Sequence, residues 1–140
     1  MIVVDASLVL ALVLPLPYSD RAAVKVRALK EEHEEFFAPA LLEYEVCSAL
    51  RRAVARRIMD ESTAHLALAL IDELRIRPVS AASSLHSRAL AWAARIDQSK
   101  AYDAQYLALA EEMRCALLSA DERLVHSARA LGADWVSGLD

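Results

Sequence analysis

The chain has 140 residues, a length typical of one domain, so we expect a single domain over residues 1–140. Its 56% apolar residues exclude intrinsic disorder, and its 2 glycines and 4 prolines are too few for a turn-rich all-β fold. The 16 basic and 20 acidic residues give a net charge of −4, which taken alone argues against a protein that coats a polyanion.

Strand and helix signals alternate along the chain. The predicted strands are short apolar runs at residues 2–4, 36–38, 76–79, 115–118 and 135–136. The predicted helices repeat apolar residues at helical spacing over 7–14, 19–32, 40–57, 61–74, 84–96, 101–113 and 121–131. This alternation predicts a three-layer α/β/α domain around a central, mostly parallel sheet of four to five short strands.

Individual residues refine the ends of these elements. We expect Asp60 to cap the helix that follows it, and either Ser19 or Asp20 to cap the helix over 19–32. Pro78 lacks a backbone N–H, so its strand belongs at a sheet edge or stops there. The apolar stretch over 8–16 is too short to cross a bilayer.

The two cysteines, Cys47 and Cys115, match no metal-ligand spacing. We expect both to be reduced, and the protein to be soluble and cytoplasmic without membrane contact.

Two acids follow predicted strands closely. Asp5 comes directly after the strand at 2–4, and Asp121 follows the strand at 115–118 through Ser119 and Ala120. In parallel α/β sheets the carboxyl ends of the strands carry the functional site. Helix capping explains either aspartate alone, but the coincidence of both favours a shared site.

A third acid, Asp103, lies on the apolar side of its predicted helix, together with Tyr106, Leu107 and Ala110. A carboxylate that faces the core is costly unless it is protonated, paired or bound to a metal ion. Pairing with an arginine or a tyrosine hydroxyl is the alternative to a metal site.

The helix after Pro39 offers two further acids, Glu43 and Glu45, which flank its apolar stripe on opposite sides. Helical geometry does not choose between them. Arg52 and Arg56 lie on the same side of this helix as Glu45, either as part of a nucleic-acid contact or as a solvated face.

Acids without paired histidine or cysteine ligands point to oxygen-only metal chemistry, for which Mg²⁺ or Mn²⁺ is the suitable ion. The chain has no glycine-rich phosphate loop and no serine nucleophile elbow.

Four segments in chain order resemble the PIN-domain ribonucleases, and among them the VapC-type toxins of type II toxin–antitoxin systems. They are Ile2-Val3-Val4-Asp5-Ala6-Ser7, Pro39 followed by Glu45-Val46 and Ala49-Leu50, Ala101-Tyr102-Asp103-Ala104 with Tyr106-Leu107-Ala108-Leu109-Ala110-Glu111, and Leu118-Ser119-Ala120-Asp121.

The resemblance implies that four acids, Asp5, Glu45, Asp103 and Asp121, form a site for one or two Mg²⁺ or Mn²⁺ ions. It favours Glu45 over Glu43. It also implies that Ser7 orients the first acid, and Ser119 stands where the family often has threonine.

The implied activity is metal-dependent endoribonuclease cleavage, in which metal-activated water attacks an RNA phosphodiester. Arg52 and Arg56 would then guide the RNA backbone. The implied partners are RNA, a cognate VapB-type antitoxin and a second copy in a homodimer. A PIN nuclease that processes RNA without an antitoxin is one alternative. A receiver-like signalling domain is another, although the strand region at 75–80 ends without the acid that such a domain needs.

Overall fold

A five-stranded sheet lies at the centre of the computed structural model, which describes all 140 residues. The strands are β1 (Ile2–Val4), β2 (Phe36–Pro39), β3 (Arg77–Val79), β4 (Ala116–Leu118) and β5 (Val136–Ser137). They pair in the order β3-β2-β1-β4-β5, and every pair is parallel. The predicted sheet is therefore confirmed.

Seven helices connect and flank the strands. They are α1 (Ala6–Ala11), α2 (Ser19–Glu31), α3 (Leu41–Ala55), α4 (Glu61–Asp72), α5 (Ser83–Arg95), α6 (Tyr102–Met113) and α7 (Glu122–Ala130). The chain adds strands outward from β1 to β3 and then returns to add β4 on the other side of β1. Because crossovers between parallel strands are right-handed, this reversal places helices on both faces of the sheet. The predicted α/β/α architecture is confirmed.

The central strands are buried on both faces, as their continuous apolar runs predict. Val3 and Leu117 have no exposed surface. At the edge strand β3, Arg77 and Pro78 are exposed, and the edge position tolerates a proline that cannot donate a hydrogen bond.

Two predictions about helix ends are wrong. Helix α1 stops at Ala11 instead of residue 14, because the Leu12 and Val13 N–H groups bond three residues back, to Val9 and Leu10, and Pro15 has no N–H to extend the helix. Neither Ser19 nor Asp20 caps α2, since the cap position is Tyr18. The Ser19 hydroxyl instead donates to the Leu14 carbonyl at 2.7 Å, which stabilises the proline-rich turn. The predicted Asp60 cap is confirmed, because its Oδ1 accepts the Thr63 N–H at 2.7 Å.

Six helices end at a residue with left-handed backbone geometry, and only one of those residues is glycine. The positions are His33, Arg57, Arg75, Asp97, Arg114 and Gly132. At α3 this geometry ends the helix before the predicted residue 57, and the Ile58 N–H bonds back to the Ala53 carbonyl at 2.9 Å. Five of these left-handed positions are thus occupied by charged or polar residues, although glycine is usual there.

No helix has both the length and the apolar character needed to cross a bilayer. Both cysteines are free thiols.

Candidate active site

The site lies at the carboxyl edge of the sheet, between β1 and β4. Strand order reverses at this pair, because β2 and β3 extend the sheet on one side and β5 on the other. Such a reversal leaves a crevice beyond the strand ends. The register pairs Val4 with Leu118, so the next residues, Asp5 and Ser119, lie side by side.

Asp5 is 4% exposed and is held by three donors. Its Oδ1 accepts the Ser7 hydroxyl at 2.7 Å and the Leu8 N–H at 3.0 Å, and its Oδ2 accepts the Ser119 hydroxyl. Burial raises the pKa of Asp5 to about 6, the three hydrogen bonds oppose that rise, and the negative charge of Asp103 adds to it. The structure therefore holds a carboxylate in an environment that disfavours its charge.

The two serine hydroxyls are oriented by the backbone that follows β4. The Ala120 N–H donates to Ser7 Oγ at 2.9 Å, and the Asp121 N–H donates to Ser119 Oγ at 3.0 Å. Each hydroxyl has one proton and gives it to Asp5 while an amide occupies its lone pair. The two serines thus fix the Asp5 carboxylate between the segments that follow β1 and β4.

Glu45 lies on α3 and is half-buried. The Tyr106 hydroxyl, from α6, donates to its Oε1 at 2.6 Å. Burial raises the pKa of Glu45, the Tyr106 hydrogen bond opposes this, and the charge of Asp103 adds to it. Burial and the bond to Glu45 in turn raise the pKa of the Tyr106 phenol well above its ordinary value.

Glu43 faces elsewhere, although it is only two residues from Glu45. It is exposed and lines a separate cavity of about 330 Å³ with Asp72 and Arg75. The structure therefore places Glu45, and not Glu43, near the other acids.

Asp103, in the first turn of α6, is half-buried and accepts a hydrogen bond from Gln98 Nε2 on Oδ2 at 3.0 Å. Its partner is thus an amide, whereas the buried tyrosine hydroxyl pairs with Glu45. No sequence pattern pointed to Gln98, which lies in the connection before α6. Tyr106 was predicted only as part of the apolar face of that helix.

Glu45 and Asp103 line an open cleft of about 450 Å³. The other lining residues belong to the α5–α6 connection and the start of α6: Asp97, Gln98, Ser99, Lys100 and Tyr102. The charge of Asp103 affects the pKa of both Asp5 and Glu45, so these three acids share one electrostatic neighbourhood.

Asp121 is the fourth predicted site acid, and in the structure it caps α7. Its Oδ1 accepts the Arg123 N–H at 3.0 Å and the Leu124 N–H at 3.3 Å. It does not line the cleft. Its backbone N–H nevertheless supports Ser119, so it belongs to the hydrogen-bond network of Asp5.

The donor set suits a hard divalent cation, because three of the four charged groups that line the cleft, those of Glu45, Asp97 and Asp103, are carboxylates. Glu45, Asp103 and Asp121 each accept protein hydrogen bonds through one oxygen and leave the other without a protein donor. In this conformation no three acids, histidines or cysteines are arranged to coordinate a single ion. The residues fit a site in which Glu45, Asp103 and Asp121 are each anchored by one oxygen and offer the other, while both oxygens of Asp5 accept protein hydrogen bonds.

Arg52 and Arg56 are exposed and lie two and three helical turns beyond Glu45, about 10 and 16 Å along α3. Neither forms an ion pair. Their guanidinium groups remain available to an anion outside the cleft.

The protein is thus an all-parallel α/β domain with one buried and three half-buried acids near the point where its strand order reverses. The PIN domain family matches residues 2–130. VapC ribonuclease Mb0985 of Mycobacterium bovis and ribonuclease VapC9 of Mycobacterium tuberculosis are each 36% identical over 130 residues, which is 93% of this chain and 93% of theirs. The chain therefore belongs to the PIN domain family, in its VapC ribonuclease group, and the receiver-like alternative is set aside.

A solved structure supports the fold. The crystal structure of PAE2754 from Pyrobaculum aerophilum superimposes with a TM-score of 0.71 at 20% identity, covering 99% of this chain and 83% of that one.

Proposed function

We propose that this chain is a metal-dependent endoribonuclease and the toxin of a VapBC-type pair. One observation carries the proposal. Three carboxylates, on Asp5, Glu45 and Asp103, share one neighbourhood at the sheet's carboxyl edge, where burial raises the pKa of two of them. Clustered, partly desolvated carboxylates of this kind are typical of functional sites. Near full-length similarity to VapC ribonucleases supports the choice of reaction.

We assign Asp5, Glu45, Asp103 and Asp121 as the groups that hold one or two Mg²⁺ or Mn²⁺ ions. Bound divalent ions polarise a phosphodiester and lower the pKa of water for in-line attack. The chain's own part is to keep the acids ionised and aligned. Ser7 and Ser119 hold Asp5, Tyr106 holds Glu45, and Gln98 holds Asp103.

Arg52 and Arg56 belong to the same proposal as RNA contacts. Unpaired guanidinium groups on the helix that carries Glu45 attract the phosphate backbone by charge and impose no sequence preference.

The partners implied for this group are a VapB-type antitoxin and a second copy of the chain. Exposed apolar side chains on and beside α4 support such contacts, since Leu66, Leu70 and Ile58 are 59%, 48% and 54% exposed. A search for a short reading frame next to this one, followed by co-expression of its product with this chain, tests the antitoxin. We expect a stable complex that suppresses cleavage, whereas failure to form one favours a PIN nuclease that works without an antitoxin. Light scattering on the purified chain tests the homodimer.

The activity itself is tested by incubating single-stranded RNA with the protein and Mg²⁺ or Mn²⁺. We expect cleavage that EDTA abolishes and that Glu45→Gln removes. Glu43→Gln is the matched control, because it changes the same residue type two positions away and should keep full activity. Full activity of Glu45→Gln, or cleavage in EDTA, contradicts the proposal.

A further inference from the structure

Among the side chains that line the cleft without a role in the metal site are Lys100, in the α5–α6 connection, and Tyr102, the first residue of α6. Both are exposed, and both come within three residues of Asp103 in the chain. They therefore lie beside the site acids, within reach of a nucleotide next to the reacting phosphate.

Tyr102 is 55% exposed, which is unusual among the aromatic residues of this protein. The chain has 8 such residues, and only Tyr44 and Tyr102 are exposed. Tyr102 alone of these two lines the cleft. Because it is the first residue of α6, the helix fixes its backbone beside Asp103. An exposed ring at such a place offers a flat surface on which an unstacked base can lie.

Lys100 is the only cation that lines the cleft, among the carboxylates of Glu45, Asp97 and Asp103. Its ammonium group forms no ion pair with any of them. It is therefore free to neutralise a phosphate, which an acidic cleft otherwise repels.

We propose that Tyr102 and Lys100 form a nucleotide subsite that requires the RNA to be single-stranded there. The Tyr102 ring stacks on one unpaired base, and Lys100 contacts a phosphate of the same segment. A duplex does not fit this subsite because its bases are already stacked and paired. The inference rests on the proposed ribonuclease function and adds to it the two side chains that hold the single-stranded segment beside the acids.

A free ammonium group among carboxylates favours RNA over a protein partner as the occupant. A phosphate satisfies Lys100, while a basic peptide segment attracted by the acids meets repulsion from it.

The test measures KM and kcat for a fluorescent single-stranded RNA oligonucleotide, with the same RNA annealed to its complement as a second substrate. Tyr102→Ala should raise KM for the single strand by about 5- to 140-fold, as expected for the loss of one stacked base. Its kcat should change far less, because the acids are untouched. Tyr102→Phe should stay within about twofold of wild type, since stacking does not need the hydroxyl.

Tyr44→Ala is the matched control, because Tyr44 is also an exposed tyrosine directly before a site acid but lies outside the cleft. It should leave KM unchanged. Lys100→Gln should reduce the slope of log KM against log salt concentration by about 0.7, the value for one phosphate contact on a single strand. Melting temperatures equal to wild type verify that the variants fold.

The proposal is overturned if Tyr102→Ala leaves KM unchanged, if Tyr102→Phe is as impaired as Tyr102→Ala, or if Tyr44→Ala has the same effect. It is also overturned if Tyr102→Ala weakens only the complex with the antitoxin, since the ring then belongs to a protein interface. Failure of the wild type to cleave any RNA is a different result, which refutes the proposed function and the subsite with it.

Discussion

Two turns of this protein have the same local structure and opposite electrostatic behaviour. Asp5 begins α1 and Asp60 begins α4, and in each turn Oδ1 accepts a backbone N–H three residues on, from Leu8 at 3.0 Å and Thr63 at 2.7 Å. In each, the serine two residues on also donates to Oδ1, at 2.7 Å from Ser7 and 3.0 Å from Ser62.

The pKa values nevertheless move in opposite directions. The pKa of Asp5 rises to about 6 because burial outweighs its hydrogen bonds, while the pKa of Asp60 falls because its hydrogen bonds act on a fully exposed group. The local motif therefore makes a helix cap, and only the environment makes a reactive carboxylate.

The largest expected effect is on activity. Asp5→Asn should abolish metal-dependent RNA cleavage, a greater loss than the roughly 10- to 100-fold cost of removing a group that merely supports a metal ligand. Asp60→Asn makes the same chemical change in the same local motif and should cleave at the wild-type rate. Equal activity of the two variants would show that Asp5 is only a helix cap.

The second effect is on how the free energy of unfolding varies with pH, measured by urea unfolding in EDTA. In the folded protein the pKa of Asp5 lies above its ordinary value of 3.8. The contribution of protonated Asp5 to the free energy of unfolding is therefore fully present below pH 3.8 and is lost as the pH rises through about 6. At pH 8 the ionised group should cost about 3 kcal/mol, and Asp5→Asn should remove that pH-dependent part.

Asp60 has the opposite sign and provides the control. Because the pKa of Asp60 is lowered, its ionised side chain stabilises the fold above pH 3.8, and this stabilisation is lost on acidification. The Asp60→Asn variant should therefore gain no stability between pH 5 and 8. A wild-type curve that does not differ in shape from that of Asp5→Asn contradicts the role given to burial.

The serines give a smaller effect. Ser119→Ala should reduce the free energy of unfolding by about 1–3 kcal/mol, because it removes a donor to Asp5 and leaves the Asp121 N–H without its acceptor. Ser62→Ala, at the exposed turn, should stay within about 0.5 kcal/mol of wild type. Urea unfolding of both variants measures the contrast, and equal losses refute it.

The smallest effect tests the preference for glycine at a left-handed helix end, on the helix that carries Asp103. Arg114, at the opposite end of α6 from Asp103, has a φ of 52°, so Arg114→Gly should stabilise the protein by roughly 0.5–1 kcal/mol without altering cleavage. Thermal melting and the cleavage assay check the two halves of this expectation. A loss of stability shows that the arginine side chain outweighs its backbone strain.

Local patterns in the sequence predicted much of the fold. Apolar runs and helical spacing marked all five strands and seven helices, and the spacing of Asp60 before its helix predicted the cap. The errors lie at helix ends, where the prolines at 15 and 17 and the left-handed residue Arg57 decide the last turn. The residue at which a helix ends depends on energy differences of about a few tenths to a few kcal/mol, and the apolar periodicity does not predict it well.

The features of the site also fall into those that local patterns predict and those that depend on packing. Local sequence patterns specify which acids stand at strand ends and on the apolar face of a helix, because those positions follow from repeats of two and 3.6 residues. The hydrogen-bond partners of these acids depend on how distant segments pack, since Tyr106 contacts Glu45 across 61 residues and Ser119 contacts Asp5 across 114. Hydrogen bonds act over about 3 Å, so they depend on strand register and helix packing that no local pattern specifies. That is why Asp5 and Asp60 look alike in sequence and differ in the folded protein.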